Sequence, residues 1–107
     1  MLFKISYGIY HDNKNYCREQ FYVGRDEEDA ADMAKNLARA SYDYLAFHDK
    51  NVFLNTPDYY YDKIRDAFVE KGYDESLWYE EGARAQADSQ YFAERNRKIW
   101  WKQEIVK

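Results

Sequence analysis

The sequence contains few of the residues that cross-link a small protein or interrupt its helices and strands. Its 107 residues include one cysteine (Cys17), one proline, four glycines and two histidines. A single cysteine excludes an intramolecular disulfide and any metal site built from several thiolates, and a free thiol is typical of a reducing compartment. No apolar run approaches the ~20 residues that span a bilayer, and the first residues lack a signal-peptide pattern. We therefore expect a soluble, cytoplasmic protein.

Sequence signatures of catalysis are also missing. His11 and His48 have no Asp, Cys or Ser neighbour at a spacing that indicates a triad or a metal site. There is no phosphate-binding glycine loop, no calcium-binding loop and no His-Glu-x-x-His motif. Cys17 with a distant histidine is the one arrangement left for a thiol enzyme, but a lone strand cysteine usually behaves as a small hydrophobe. We expect no enzymatic activity, no cofactor and no metal.

Aromatic residues, by contrast, are abundant. They make up 20% of the chain, as 12 tyrosines, 6 phenylalanines and 3 tryptophans. A core of this size cannot hide so many rings, and tyrosine has only an intermediate preference for burial, so some tyrosines must lie on the surface. Exposed Tyr and Trp are enriched at protein–protein interfaces. The formal net charge of −4 argues against general nucleic-acid binding and leaves room for a local basic patch.

The N-terminal third predicts a β-hairpin. Residues 2–10 alternate between apolar and polar positions, which is typical of a strand with one buried face. Residues 11–15 are polar turn formers, and alternation resumes from Tyr16 to Val23. Gly8 suggests a bulge in the first strand.

Two helices are predicted next, separated by a short connector. Asp26 is placed to cap a first amphipathic helix that fades near residues 47–49. Residues 52–54 indicate either a loop that plugs the core or a short strand. Thr56 and Pro57 then open a second helix, which Gly72 closes as the residue after its C-cap.

The C-terminal third predicts one more helix and one more strand. Asp74 is placed to cap a third helix that begins near Glu75, whose packed face would carry Trp78, Gly82, Ala85, Ser89 and Phe92. Residues 99–107 alternate and predict a closing strand, with a helix running to the end as the alternative. The expected fold is one compact α+β domain over residues 1–107. It would consist of an N-terminal hairpin, three helices and a terminal strand that completes a small three-stranded antiparallel sheet packed on the helices.

The second helix carries an acidic pattern beside a run of tyrosines. Its acidic residues recur every four positions, so they stand about 6 Å apart on one face and could mimic the phosphates of a nucleic-acid strand. Interleaved Lys63, Arg65 and Lys71 favour the simpler interpretation of a solvated helix face. Three consecutive tyrosines span about 200° of a helix and cannot all be buried. The predicted partner-binding residues are Asp58, Tyr59, Tyr60, Asp62, Asp66 and Glu70.

The C-terminal segment, residues 93–107, is basic and contains two adjacent tryptophans. Cations around exposed rings can bind single-stranded nucleic acid. The candidate contacts are Arg95, Arg97, Lys98, Trp100 and Lys102. Alternatively, the cations complement a helix dipole while one tryptophan enters the core. On a strand, the two indoles must point to opposite faces.

In general character the chain resembles the small, acidic, tyrosine-rich α+β proteins, free of known motifs, with which phages and other mobile elements inhibit host machinery, including anti-CRISPR-type inhibitors. The resemblance implies a non-enzymatic inhibitor in the host cytoplasm that occupies the surface of a protein partner, such as the basic nucleic-acid-binding groove of a nucleoprotein complex. Two alternatives stay open. One is an accessory protein that binds nucleic acid through the basic, Trp-containing C-terminus. The other is a homo-oligomeric structural module, a homodimer for example, built on an exposed sheet edge or on the face from Gly82 to Ser89.

Overall fold

The computed structural model covers residues 1–107 and confirms the predicted α+β fold. Its elements are β1 (Leu2–His11), β2 (Lys14–Val23), α1 (Glu27–His48), α2 (Pro57–Glu70), a 3-10 turn (Glu75–Leu77), α3 (Glu80–Lys98) and β3 (Ile99–Ile105). The three strands form one antiparallel sheet in the order β2-β1-β3. The closing strand is therefore confirmed, and it pairs with β1 in the centre of the sheet. No helix combines the length and the apolar character that crossing a membrane requires.

The hydrophobic core lies between α1 and one face of the sheet. The alternating residues of β1 supply the sheet side: Phe3, Ile5, Tyr7 and Ile9 are all buried. From α1, a row at four-residue spacing faces them, formed by Ala30, Ala34, Ala38 and Tyr42. Alanine has almost no side chain, so the helix backbone approaches the strands closely. The carboxylate of Asp26 caps α1 as predicted and accepts from the Asp29 backbone N–H at 2.8 Å.

Gly8 lies at the centre of the sheet, where there is no room for a side chain. It pairs with Cys17 on β2 and with Trp100 on β3 in continuous register, so the predicted bulge is wrong. A Cβ atom on Gly8 would lie 2.6 Å from the Tyr16 carbonyl oxygen and 2.9 Å from the Trp100 ring. The Trp100 indole crosses this space and donates its Nε1–H to Asn15 Oδ1 at 2.8 Å. Glycine is thus required by the ring that covers it.

Replacing Gly8 by alanine is expected to lower the free energy of unfolding by about 2 kcal/mol, because the new methyl overlaps a backbone oxygen of a paired strand. Urea unfolding followed by circular dichroism measures this. Ser6→Ala, on the same strand and the same sheet face, is the control and should change stability by less than about 1 kcal/mol. A Gly8→Ala protein as stable as the parent would show that the strands shift apart freely.

The remaining helices do not cover the sheet as expected. The α2 helix runs antiparallel beside the first part of α3, and the pair projects from the body. The molecule measures 64 × 28 × 19 Å, and its radius of gyration is 18.1 Å, against about 13 Å for a compact chain of this length. The expectation of a compact shape is therefore wrong. We call residues 57–90 the arm and the remainder the body.

The third helix begins later than predicted and packs through a different face. Asp74 caps the 3-10 turn, and α3 begins only at Glu80. The buried residues of α3 are Ala83, Ala87 and Tyr91, whereas the predicted positions Ala85, Ser89 and Phe92 are exposed. The predicted packed face was counted from Trp78, which precedes the helix, so the predicted positions fall on the wrong side of α3. A Cβ atom on Gly82 would lie 2.8 Å from the Tyr79 ring, so this ring, and not another element, fills the space above the glycine.

The connector between α1 and α2 is a loop, so the alternative of a short strand is excluded. Val52 and Leu54 are buried in the core, as the loop interpretation predicts. Phe53 between them is 79% exposed and has a φ of 58°. A left-handed backbone is unusual for a bulky residue. At Phe53 the left-handed backbone allows Val52 and Leu54 to be buried while the Phe53 ring lies in solvent.

Candidate protein-interaction site

The arm is held together by aromatic contacts around Trp78. Its ring centroid lies 5.1 Å from that of Phe68 and 6.0 Å from that of Tyr61, and Tyr73 extends the cluster from Phe68 at 5.7 Å. The guanidinium of Arg65 stacks over Trp78 at 4.6 Å. No residue of α2 is fully buried. The arm is therefore two helices joined by a thin aromatic layer, with most of its surface in solvent.

A polar network lines the edge of this aromatic layer. Glu80 Oε2 accepts from the Tyr61 hydroxyl at 2.7 Å and from the Trp78 Nε1–H at 2.8 Å. Both hydrogen bonds lower the pKa of Glu80, and the bond from Tyr61 has the larger effect. The bond between Tyr61 and Glu80 also raises the pKa of the Tyr61 hydroxyl. Arg84 lies 3.6 Å above the Tyr61 ring and binds Glu80 at 3.2 Å and Asp58 at 3.0 Å. The network fixes the relative position of the two helices.

Two of the predicted partner-binding residues contact other residues of the protein. Asp58 takes part in the ion pair with Arg84. Tyr60 is half-buried and packs against the core of the body, where burial raises the pKa of its hydroxyl. The Asp58 pair joins α2 to α3 within the arm, and Tyr60 attaches the arm to the body.

The other predicted residues form a free surface. Asp62, Asp66 and Glu70 are exposed, none of them is in an ion pair, and their four-residue spacing places them on one face of α2. Tyr59 on that face is 43% exposed, and the Lys63 ammonium lies 5.5 Å from its ring centroid. We call Tyr59, Asp62, Asp66 and Glu70 the acidic face.

Sequence reasoning missed an apolar group at the tip of the arm. The exposed residues there are Val69, Tyr73 and Leu77. In the chain they lie within five residues of Gly72, whose φ of 73° ends α2 as predicted. Apolar residues on both sides of this glycine were the available signal in the sequence. Together with the acidic face, the tip makes the arm both charged and aromatic.

The charge of the protein is concentrated in the arm. Residues 57–90 contain nine acidic and four basic side chains, a formal charge of −5, whereas the body contains eleven acidic and twelve basic ones. The overall charge of −4 is therefore a strongly acidic projection on a nearly neutral body. Such a separation favours binding to a basic surface.

The predicted basic residues at the end of α3 are paired with carboxylates of the protein. Arg95 binds both carboxylate oxygens of Asp43, at 3.1 and 3.2 Å. Arg97 and Lys98 both pair with Glu94, the latter at 3.1 Å. These three candidate cations thus have carboxylate partners within the protein, but Arg97 and Lys98 share one carboxylate, so one positive charge remains.

The two tryptophans of this segment point to opposite faces of the sheet, as predicted. Trp100 covers Gly8 on the outer face, which it shares with Lys102. Trp101 lies on the face of α1, with the Lys35 ammonium 5.7 Å from its ring centroid. A nucleic-acid contact through this segment stays a prediction, with Trp100 and Lys102 as the pair left on one surface.

The residues considered for catalysis or metal binding lie apart. Cys17 is exposed on the outer face of the sheet. His11 Nδ1 lies 2.9 Å from the Lys98 ammonium nitrogen, and His48 stacks beside Tyr44 at the end of α1. No three His, Cys, Asp or Glu side chains are arranged to hold a metal ion.

Comparison of this chain with protein-family models, with curated proteins and with solved structures finds no match.

Proposed function

We propose that this protein is a non-enzymatic binding protein that occupies the surface of a partner protein with its arm. The observation that carries the proposal is the arm itself, an exposed pair of helices with a formal charge of −5 and no fully buried residue in α2. Exposed apolar surface that no part of the chain covers typically marks an interaction site.

The partner surface that complements the arm is basic and contains an apolar pocket. The acidic face supplies three unpaired carboxylates, and the tip supplies Tyr73 and Leu77. Aromatic anchors in a desolvated pocket usually provide most of the binding energy, while charges set the orientation and the association rate.

A groove that normally holds nucleic acid is the partner surface that fits best. Asp62, Asp66 and Glu70 follow each other at about 6 Å, which is comparable to the spacing of phosphates along a strand. A protein that presents such a row competes with nucleic acid for the same lysines and arginines. This is the inhibitor type of action that phages and mobile elements direct at host machinery, as in anti-CRISPR proteins.

The experiment compares affinity capture by matched charge variants. A triple variant, Asp62→Asn, Asp66→Asn and Glu70→Gln, removes the charge of the acidic face without changing side-chain size. A control triple, Glu28→Gln, Asp32→Asn and Glu104→Gln, removes the same charge from exposed, unpaired positions of the body. The parent and the control should retain a partner from lysate of the native host, and the arm variant should bind it at least tenfold more weakly, about 1.4 kcal/mol.

Heparin, a soluble polyanion, tests the nature of the partner surface. Heparin should displace the partner from the parent protein if that surface is basic, and higher salt should weaken the complex. Recovery of no partner, or equal capture by both triple variants, would overturn the proposal.

A further inference from the structure

The sheet has room for a second helix beside α1. A helix is about 10 Å wide and strands lie about 4.8 Å apart, so one helix covers about two strands. The α1 helix packs on β1 and β3, which leaves the helix-facing side of β2 open from Lys14 to Gln20, whereas Tyr22 beyond it donates to Asp29 of α1. A groove of about 650 Å³ results, with Tyr16 and Arg18 of β2 on one wall and Leu37, Tyr44 and Leu45 of α1 on the other. We call it the β2 groove.

The β2 groove combines an apolar lining with unpaired positive charge. Arg18 lines it, and Lys14 follows at its end, because it pairs with His11 on the same face of the sheet as Arg18. Both are exposed and neither is in an ion pair. The one carboxylate in the lining, Asp49, accepts from the Asn51 backbone N–H. An occupant that fits is an acidic helix with exposed aromatic side chains.

The arm of the same protein has this chemistry. Its acidic face combines unpaired carboxylates with the ring of Tyr59, and Val69 adds an exposed apolar side chain. We propose that two copies of this chain form a two-fold symmetric dimer in which each inserts α2 into the β2 groove of the other. Opposite charges then meet in both contacts, since the acidic arm faces the cations Lys14 and Arg18. This inference rests on the same arm as the proposed function, and the dimer and the partner compete for the acidic face, so the dimer is the form that the protein takes without its partner.

The dimensions suit a stable dimer. The 14 residues of α2 are about 21 Å long, and the wall from Leu37 to Asp49 is about 18 Å long. Covering half of such a helix buries on the order of 400 Å² on each contacting surface. The four surfaces of a reciprocal dimer then total about 1,600 Å², the standard size of a specific interface.

Sedimentation equilibrium with charge-reversed variants tests the dimer. The parent protein should reach twice the 13.0 kDa mass of the chain at micromolar concentration. A groove variant, Lys14→Glu with Arg18→Glu, and an arm variant, Asp62→Lys with Asp66→Lys, should each weaken dimerisation at least tenfold. An equimolar mixture of the two variants should restore a dimer, because each basic arm then meets an acidic groove and each acidic arm meets a basic groove.

Controls separate this dimer from other associations and from the proposed function. Phe21→Ser with Val23→Ser alters exposed residues on the opposite, outer face of the sheet and should leave the dimer intact. A monomeric parent, a dimer insensitive to both reversals, or a mixture that stays monomeric would overturn the inference. The groove variant keeps its arm, so it should still capture a partner from lysate, which makes failure of the dimer distinguishable from failure of the arm as a binding element.

Discussion

Replacement of Asp43 by alanine is expected to lower the free energy of unfolding by about 3 kcal/mol, because a nearly buried guanidinium loses its counter-ion. Asp43 on α1 binds both Arg95 and the Tyr91 hydroxyl of α3, the latter at 2.6 Å. The Arg95 side chain is only 12% exposed, so its charge would be left desolvated and without a counter-ion. Asp43 itself is 42% exposed, which places the expected cost at the lower end for a buried pair.

Two further variants separate the contribution of the Tyr91 hydrogen bond from that of the Arg95 ion pair. Tyr91→Phe removes the hydroxyl and keeps the ion pair, so it should cost about 1 kcal/mol. Asp43→Asn keeps an acceptor but loses the charge, and its cost should lie between the other two. Chemical denaturation measures all three. If Asp43→Ala costs no more than Tyr91→Phe, solvent already screens Arg95 and the pair contributes little.

Removal of the Trp78 side chain is expected to unfold the arm while the body stays folded. The indole contacts Phe68, Tyr61 and Arg65 of α2, so it lies at the centre of the aromatic layer of the arm. Deletion of a large ring from a packed site costs about 3 kcal/mol or more. Short helices are marginal without tertiary contacts, so Trp78→Ala should leave the arm without enough stability to stay helical.

Hydrogen exchange measures this effect locally. Amides of residues 61–68 should exchange about 100-fold faster in Trp78→Ala, as expected for a loss of about 3 kcal/mol, while amides of β1 keep their protection. Tyr79→Ala is the control, because that neighbouring ring is exposed and should contribute little. Equal acceleration in arm and sheet would mean that both unfold as one cooperative unit.

Opposed roles for neighbouring residues explain why the free surface of the arm was only partly predictable. The four-residue spacing of the acidic residues identified one helix face correctly. It could not separate Asp58, which pairs with Arg84 across the arm, from Asp62 and Asp66, which remain free. The difference depends on a residue 26 positions away in the chain. Local periodicity contains no information about such a partner.

The elements of this protein and most of their ends were determined by the sequence alone. Several local signals act within a few residues, so they can be recognised in the sequence before the fold is known. They are the alternation with period two, the polar turn residues, the carboxylate of Asp26 and the left-handed glycine at position 72. The hairpin, α1, α2 and the closing strand follow from them. The composition also showed that some of the 12 tyrosines must lie on the surface.

Only the tertiary structure decided where the helices go. An amphipathic pattern shows that one face of a helix is covered, but not which element covers it. Nothing in the pattern of α2 and α3 distinguishes packing on the sheet from packing on each other. Their burial on each other leaves the sheet with one helix, opens the β2 groove and extends the molecule to 64 Å. Because α2 and α3 pack on each other, the formal net charge of −4 is distributed unevenly: the arm has a charge of −5 and projects from a nearly neutral body.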